Sequence, residues 1–261
     1  MFVFDCNSTM TRSSKHSIFP PIAKKNPTYL KKFDSVRLDN YYWLKDRENP
    51  EVLDYLEKEN KYYESMTINT KDFQKKIFEE IKNKIKEDDQ SVPYFLNGYW
   101  YITKFEEKKD YPIYVRKKAS LDAIDELLFD CNKLAKGYEY FNLSNIRVSP
   151  NNKYAAFSTD TISRRLYTIK IKNLETGEIL IESINNSSGS FVWANDNSTL
   201  FYTIRDSKTL RNNKIYKHTL GSNSKQDKLV YHEKDKTFYT NVSKSKSNKY
   251  IIISSYSTLT S

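Results

Sequence analysis

NNKYAAFST, residues 151–159, is a polar turn that runs straight into a short apolar strand, and the chain uses this pattern four times. The other copies are NGYWYIT at 97–103, DNSTLFYTI at 196–204 and SNKYIIISS at 247–255. Aligned on Tyr99, Tyr154, Leu200 and Tyr250, the copies lie 55, 46 and 50 residues apart. A repeat of this length signals a solenoid, a propeller or an array. Apolar, β-rich runs fill the space between copies: YPIYVRKK and ELLFDCN, RLYTIKIKN and EILIESI, KIYKHTL and KLVYHE. A hairpin signal stands at Glu175-Thr176-Gly177. One more strand introduces each following copy, in NIRVSP, SFVWAND and TNVSKSK, which makes four strands per repeat. Four strands in about 50 residues is the content of a propeller blade. Coils of a β-helix are far shorter, helical and leucine-rich arrays have other periods, and a β-sandwich does not explain the even spacing. The expected fold class is mainly β: a partial β-propeller of about three complete four-stranded blades and the start of a fourth. No Gly-His or Trp-Asp pair marks the blades, and Trp193 is followed by Ala194, so the WD40 signature is absent.

Two helices are expected before the repeats. In NPEVLDYLEKENKYYESM, Asn49 is placed to cap and Pro50 to occupy the first helical position, with Val52, Leu53, Leu56, Tyr63 and Met66 as an apolar stripe. A second helix is predicted from about Lys71 to Lys86, with Phe73, Ile77, Phe78, Ile81 and Ile85 on one face, stopped by Asp88-Asp89, Ser91 and Pro93. Both stripes are expected to pack against a neighbouring domain. The expected organisation is a disordered tail at 1–18, a helical segment at 19–90 and an incomplete propeller at 91–261.

Composition excludes several classes. With 14 Phe and 21 Tyr among 261 residues the chain has material for a core, and 5 Gly and 7 Pro exclude fibrous sequence. The net charge of +10 comes from 34 Lys and only 9 Arg, dispersed among 33 acidic residues. Nucleic-acid readers concentrate Arg forks and basic faces, so a solvated Lys-rich surface and no nucleic-acid partner are expected. Cys6 and Cys131 form neither a metal motif nor a disulfide framework, and Cys131 in LLFDCNKLA is expected to act as a small buried hydrophobe. No apolar run approaches the ~20 residues of a membrane span. MFVFDC at the start is too short for an export signal, so a cytoplasmic location is expected. The alternative is a periplasmic or lipid-anchored protein whose signal has been clipped before Cys6.

Chemistry is sparse. An α/β-hydrolase needs a Gly-x-Ser-x-Gly elbow, whose glycines allow the sharp strand-to-helix turn. The five glycines are Gly98, Gly137, Gly177, Gly189 and Gly221, and no two stand four apart. His16 lies in the N-terminal tail, while His218 and His232 fall on successive strands of the third repeat. They are expected to be surface or inter-blade hydrogen bonders, with a metal or base pair as the alternative. No catalytic, cofactor-binding or metal-binding residue is assigned, and no cofactor is expected.

FPPIAKK at 19–25 and RLDNYYWLKDRENPEVLDYLEKENKYYE at 37–64 resemble the opening of prolyl-oligopeptidase-type serine peptidases. IKEDDQSVPYFLNGYWYITKFEEKKDYPIYVRKK at 85–118, VSPNNKYAAFSTDTISRRLYTIKIKNLETGE at 148–178 and WANDNSTLFYTIRD at 193–206 are similar to the oligopeptidase B (protease II) group of that family. The resemblance runs from about Phe19 to Ser261. It implies a propeller of about seven blades capping an α/β-hydrolase domain, with the N-terminal helices wrapped against that domain. It implies a filter that admits short peptides, and cleavage after Arg or Lys. The family's Ser, Asp and His follow the propeller, so they have no counterpart here. The expectation is therefore an N-terminal fragment, inactive alone, from a truncated product, a partial gene model or a split protein. Its partners would be short basic peptides once an α/β-hydrolase domain completes it. The alternative is a free-standing propeller that binds peptide or protein without catalysis.

Overall fold

The computed structural model describes residues 19–260, which form two compact units divided after Ile85. The tail expected at 1–18, with Cys6 and His16, lies outside the described residues.

The first unit begins with a hairpin that the sequence pattern does not announce. β1 (Thr28–Lys32) and β2 (Ser35–Asp39) pair antiparallel, and Phe33 at φ 54° makes the tight turn between Lys32 and Ser35. The helix α1 (Pro50–Thr67) starts as expected: Asn49 Oδ1 accepts the Glu51 N–H at 2.9 Å, and Pro50 follows the cap. The second helix, α2 (Lys71–Lys82), ends four residues earlier than predicted. The Lys84 and Ile85 amides bond back to Ile81 and Lys82, three residues away, so the chain tightens out of α geometry after Asn83. Among the described residues of this unit only Val52 is buried. Phe73, Ile77, Phe78 and Ile81 line one side of α2 and are all exposed.

The second unit is built of blades. The first consists of β3 (Asp89–Gln90), β4 (Tyr94–Leu96), β5 (Tyr99–Phe105), β6 (Ile113–Lys118) and β7 (Glu126–Asp130), with β3 and β4 sharing one side of β5. The run ELLFDCN is not strand throughout. It stops at Asp130, whose carboxylate accepts the Asn132 and Lys133 amides and starts the one-turn helix α3 (Cys131–Leu134).

The second blade is β8 (Asn142–Val148), β9 (Tyr154–Asp160), β10 (Tyr167–Asn173) and the first half of β11 (Ile179–Trp193). The third takes the second half of β11, then β12 (Thr199–Arg205), β13 (Asn212–Thr219) and β14 (Lys228–His232). The runs EILIESI and SFVWAND, read as two strands, are thus one 15-residue strand. Its pairing shifts between Ser187 and Phe191, where Asn186 (φ 58°) and Gly189 (φ 86°) swing the chain from one blade to the next. β15 (Tyr239–Lys244) and β16 (Ile251–Tyr256) open the fourth blade.

Three apolar clusters fill the three seams. Phe129 meets Phe157 between blades one and two, with ring centroids 4.4 Å apart. Ala156, Ile171, Phe191, Trp193, Leu200 and Tyr202 fill the second seam, and Val192, Ile215 and Val242 the third. Because strand side chains alternate, Ala155 joins the first cluster and Ala156 the second. A strand buried on both faces needs residues of this small, apolar kind.

The repeated polar turn has its own function in the fold. Asn97, Asn152, Asn197 and Asn248 all adopt left-handed backbone, with φ of 50°, 62°, 62° and 60°. Their polar groups bridge blades. Asn97 Nδ2 donates to the Pro150 carbonyl at 2.7 Å, Asn197 Oδ1 accepts the Asn151 amide at 2.8 Å, and the Asn248 carbonyl accepts from Asn195 Nδ2 at 2.8 Å.

Candidate functional site

The strands β4, β8, the second half of β11 and β15 begin successive blades and line one cleft of about 590 Å³. Asn145, Ser190 and Asn241 occupy equivalent places, each seven residues before the left-handed Asn of its turn. They join neighbouring blades across the cleft wall: Asn145 Nδ2 donates to the Gly189 carbonyl at 3.1 Å, and Ser190 Oγ to Asn241 Oδ1 at 2.7 Å. Lys244 stands where Trp193 stands one blade earlier. The indole N–H donates to the Arg147 carbonyl at 2.8 Å, and the Lys244 ammonium donates to Asn195 Oδ1 at 2.6 Å. Burial lowers the Lys244 pKa, with the charge of Asp196 opposing. The residues lining this cleft include Arg147 and Lys244 and no carboxylate.

A second cavity of about 200 Å³ opens between the first two blades, lined by Tyr94, Tyr101, Tyr114, Leu128 and Leu143 and by Thr103, Ser144, Asn145 and Arg147. Tyr94 stacks on Tyr101 at 5.2 Å. Burial raises both phenol pKa values. The nearby Arg147 charge opposes the rise at Tyr94, and Arg116 opposes it at Tyr101. Arg147 lines both cavities.

The two histidines of the third repeat are not brought together. His232 is exposed and sits opposite Lys214 in the β13–β14 ladder. His218 is 1% exposed, with one ring nitrogen 2.8 Å from Asp227 Oδ1 and the other 3.3 Å from Glu182 Oε2. The Tyr202 hydroxyl donates to the second Asp227 oxygen at 2.8 Å, and the Gly221 amide to Glu182 at 2.7 Å. Glu182 belongs to the second blade and the other three side chains to the third, so this network ties two blades. The strand pattern alone marked His218; its partners come from two other segments and were not visible in spacing.

Cys131 is 1% exposed, and burial pushes its thiol up to about 12, which suits packing rather than reaction. Among the described residues no group of three or more His, Cys, Asp or Glu is placed to hold a metal ion, and no helix is long and apolar enough to cross a membrane.

Residues 20–261 match the family model described as prolyl oligopeptidase, N-terminal beta-propeller domain. Dipeptidyl aminopeptidase BI of Pseudoxanthomonas mexicana is 38% identical over 98% of this chain and 38% of its own length. Protease 2 of Moraxella lacunata is 36% identical over 92% of this chain and 36% of its own. Among solved structures, oligopeptidase B from Leishmania major superposes with a TM-score of 0.84 at 28% identity, covering 92% of this chain and 36% of that one. Oligopeptidase B from Trypanosoma brucei gives 0.81 at 27% identity, over 91% and 36%. The chain thus spans little more than a third of the length of these four proteins. The repeated blades, their shared cleft and a match running from Pro20 to the last residue lead to one conclusion: this chain belongs to the prolyl oligopeptidase family, to its N-terminal β-propeller domain.

Proposed function

We propose that this chain is the substrate-gating part of an oligopeptidase B-like serine endopeptidase that cleaves short peptides after Arg or Lys. The match of residues 20–261 to the family's propeller carries the proposal. The 261 residues contain no Gly-x-Ser-x-Gly elbow, so the nucleophile, its His base and the orienting Asp would come from an α/β-hydrolase domain. The apolar side of α2, with Phe73, Ile77, Phe78 and Ile81 exposed, is the surface offered to that domain. The blades around the cleft would then admit a flexible peptide and exclude a folded protein.

A second reading comes from the relative named dipeptidyl aminopeptidase, which suggests release of dipeptides from a free N-terminus. The experiment separates the two. The chain is assayed alone and after addition of an oligopeptidase B catalytic domain, using an N-blocked Arg reporter, an N-blocked Leu reporter and a dipeptidyl reporter with a free amine. The chain alone is expected to be inactive. The reconstituted pair is expected to prefer the blocked Arg reporter and to spare a folded protein carrying surface arginines. Preference for the free-amine reporter would favour dipeptide release, and turnover by the chain alone would refute both.

A further inference from the structure

The cavity between the first two blades and the cleft beside it meet along β8, where Asn145 and Arg147 line both and Arg147 is the charged one of the two. Its guanidinium makes one hydrogen bond, from Nη1 to the Ile146 carbonyl at 3.0 Å, and has no ion pair among the described residues. Arg147 as a whole is an exposed residue. Arg147 also lines a slot of about 200 Å³ whose walls are Tyr94, Tyr101, Tyr114, Leu128 and Leu143, together with the polar Thr103, Ser144 and Asn145. An apolar cavity of ~150 Å³ already accepts benzene, so this slot has room for one aromatic or branched aliphatic side chain. Neither cavity is lined by Asp or Glu, so nothing there competes with an anion for the cation. Lys244 adds a second positive charge to the same cleft wall.

A slot with tyrosine and leucine in its walls and a guanidinium in its lining suits a ligand that is apolar at one end and anionic at the other, with the two groups close together. We propose that this is a binding site for the C-terminal residue of a short peptide: the free carboxylate sits on the Arg147 fork and an apolar side chain enters the slot beside Tyr94 and Tyr101. A guanidinium fork matches a carboxylate in two parallel hydrogen bonds, which fixes orientation as well as charge. The uncharged walls of the slot favour Phe or Leu over Gly at that position. Peptides would then be held by their C-terminus on the propeller. Binding here is independent of the cleavage specificity proposed above, because every residue involved belongs to this chain.

The test is an NMR titration of the 261-residue chain with N-acetyl-phenylalanine, its amide, and N-acetylglycine. The acid is expected to bind roughly tenfold more tightly than the amide, as for a charge-assisted pair partly open to water. N-acetylglycine is expected to bind more weakly than N-acetyl-phenylalanine, and shifts are expected at Tyr94, Tyr101 and Ser144. Arg147→Gln, a change on an exposed side chain, should bring the acid down to the affinity of the amide while leaving the amide unchanged. Arg147→Lys should restore part of the difference. Equal binding of acid and amide, a preference that survives Arg147→Gln, equal binding of the glycine and phenylalanine probes, or no binding of any probe would each overturn the site.

Discussion

Asn152 shows at one residue how the repeat works. Its φ of 62° needs a residue that tolerates left-handed backbone, and its side-chain amide donates to the Asn97 carbonyl one blade away at 3.1 Å. Gly supplies the backbone without the bond, and Ala supplies neither. Asn152→Gly is therefore expected to cost about 1 kcal/mol, the worth of one hydrogen bond, and Asn152→Ala about 1–2 kcal/mol more for the strained backbone. Chemical denaturation of the three proteins checks the order, and an alanine variant as stable as the glycine one would sink it. Glu233 predicts a pH effect. Its carboxylate accepts from Ser255 Oγ at 2.6 Å and from the Tyr231 hydroxyl and the Asp235 amide, bonds that favour the charged form and pull its pKa from 4.5 to about 2. A lowered folded-state pKa means stability that is present above about 4.5 and is lost as pH falls toward about 2. Glu233→Gln should flatten the acid side of the melting-temperature profile in that window, and an unchanged acid slope would show that the bonds do not persist in solution.

Among elements, β11 departs most from its sequence pattern and explains why. Polar residues interrupt the apolar run at Asn185, Asn186, Ser187 and Ser188, which reads as a loop between two strands. The chain instead remains one strand that turns at Asn186 and Gly189, with Ser158 and Asn145 both donating to the Gly189 carbonyl. A Cβ on Gly189 would lie 3.1 Å from Tyr167 Cδ2, and φ is 86°. Gly189→Ala is expected to destabilise by about 1–3 kcal/mol, and the loss should appear as faster amide exchange in both β10 and β12. Faster exchange in only one of them would mean that the two blades open separately. The end of α2 departs for a more ordinary reason. Ile85 continues the apolar face, but side-chain periodicity does not show that the backbone has already tightened into three-residue bonds after Asn83.

For the whole molecule, the charge of +10 is a surface property. Lys58 pairs with Asp54, Lys84 with Glu80 and Lys153 with Glu175, so part of the basic charge is locally answered. Binding to duplex DNA at 150 mM salt is expected to be undetectable by anisotropy. A steep fall of affinity with added salt, of the kind that counterion release produces, would contradict this. The blade count, the strand phase on both sides of β9 and the start of α1 were legible in the sequence. They rest on local chemistry: the alternation of Ala155 and Ala156, the Asn-Pro start, and turns that require left-handed backbone. The hairpin of β1 and β2 was not legible, since Thr28–Lys32 and Ser35–Asp39 are short, polar and exposed on most positions. The family was legible because long motifs carry it. The absence of an elbow was legible because the glycines could all be counted. Only the tertiary structure decided what the blades enclose. Asn145 and Asn241 hold the same place in the repeat, but Arg147 and Lys244 have no charged counterpart in the other blades, and the four lie up to about a hundred residues apart. They line one cleft because blade packing places the first strand of every repeat beside the next, a consequence of long-range burial that no local pattern encodes.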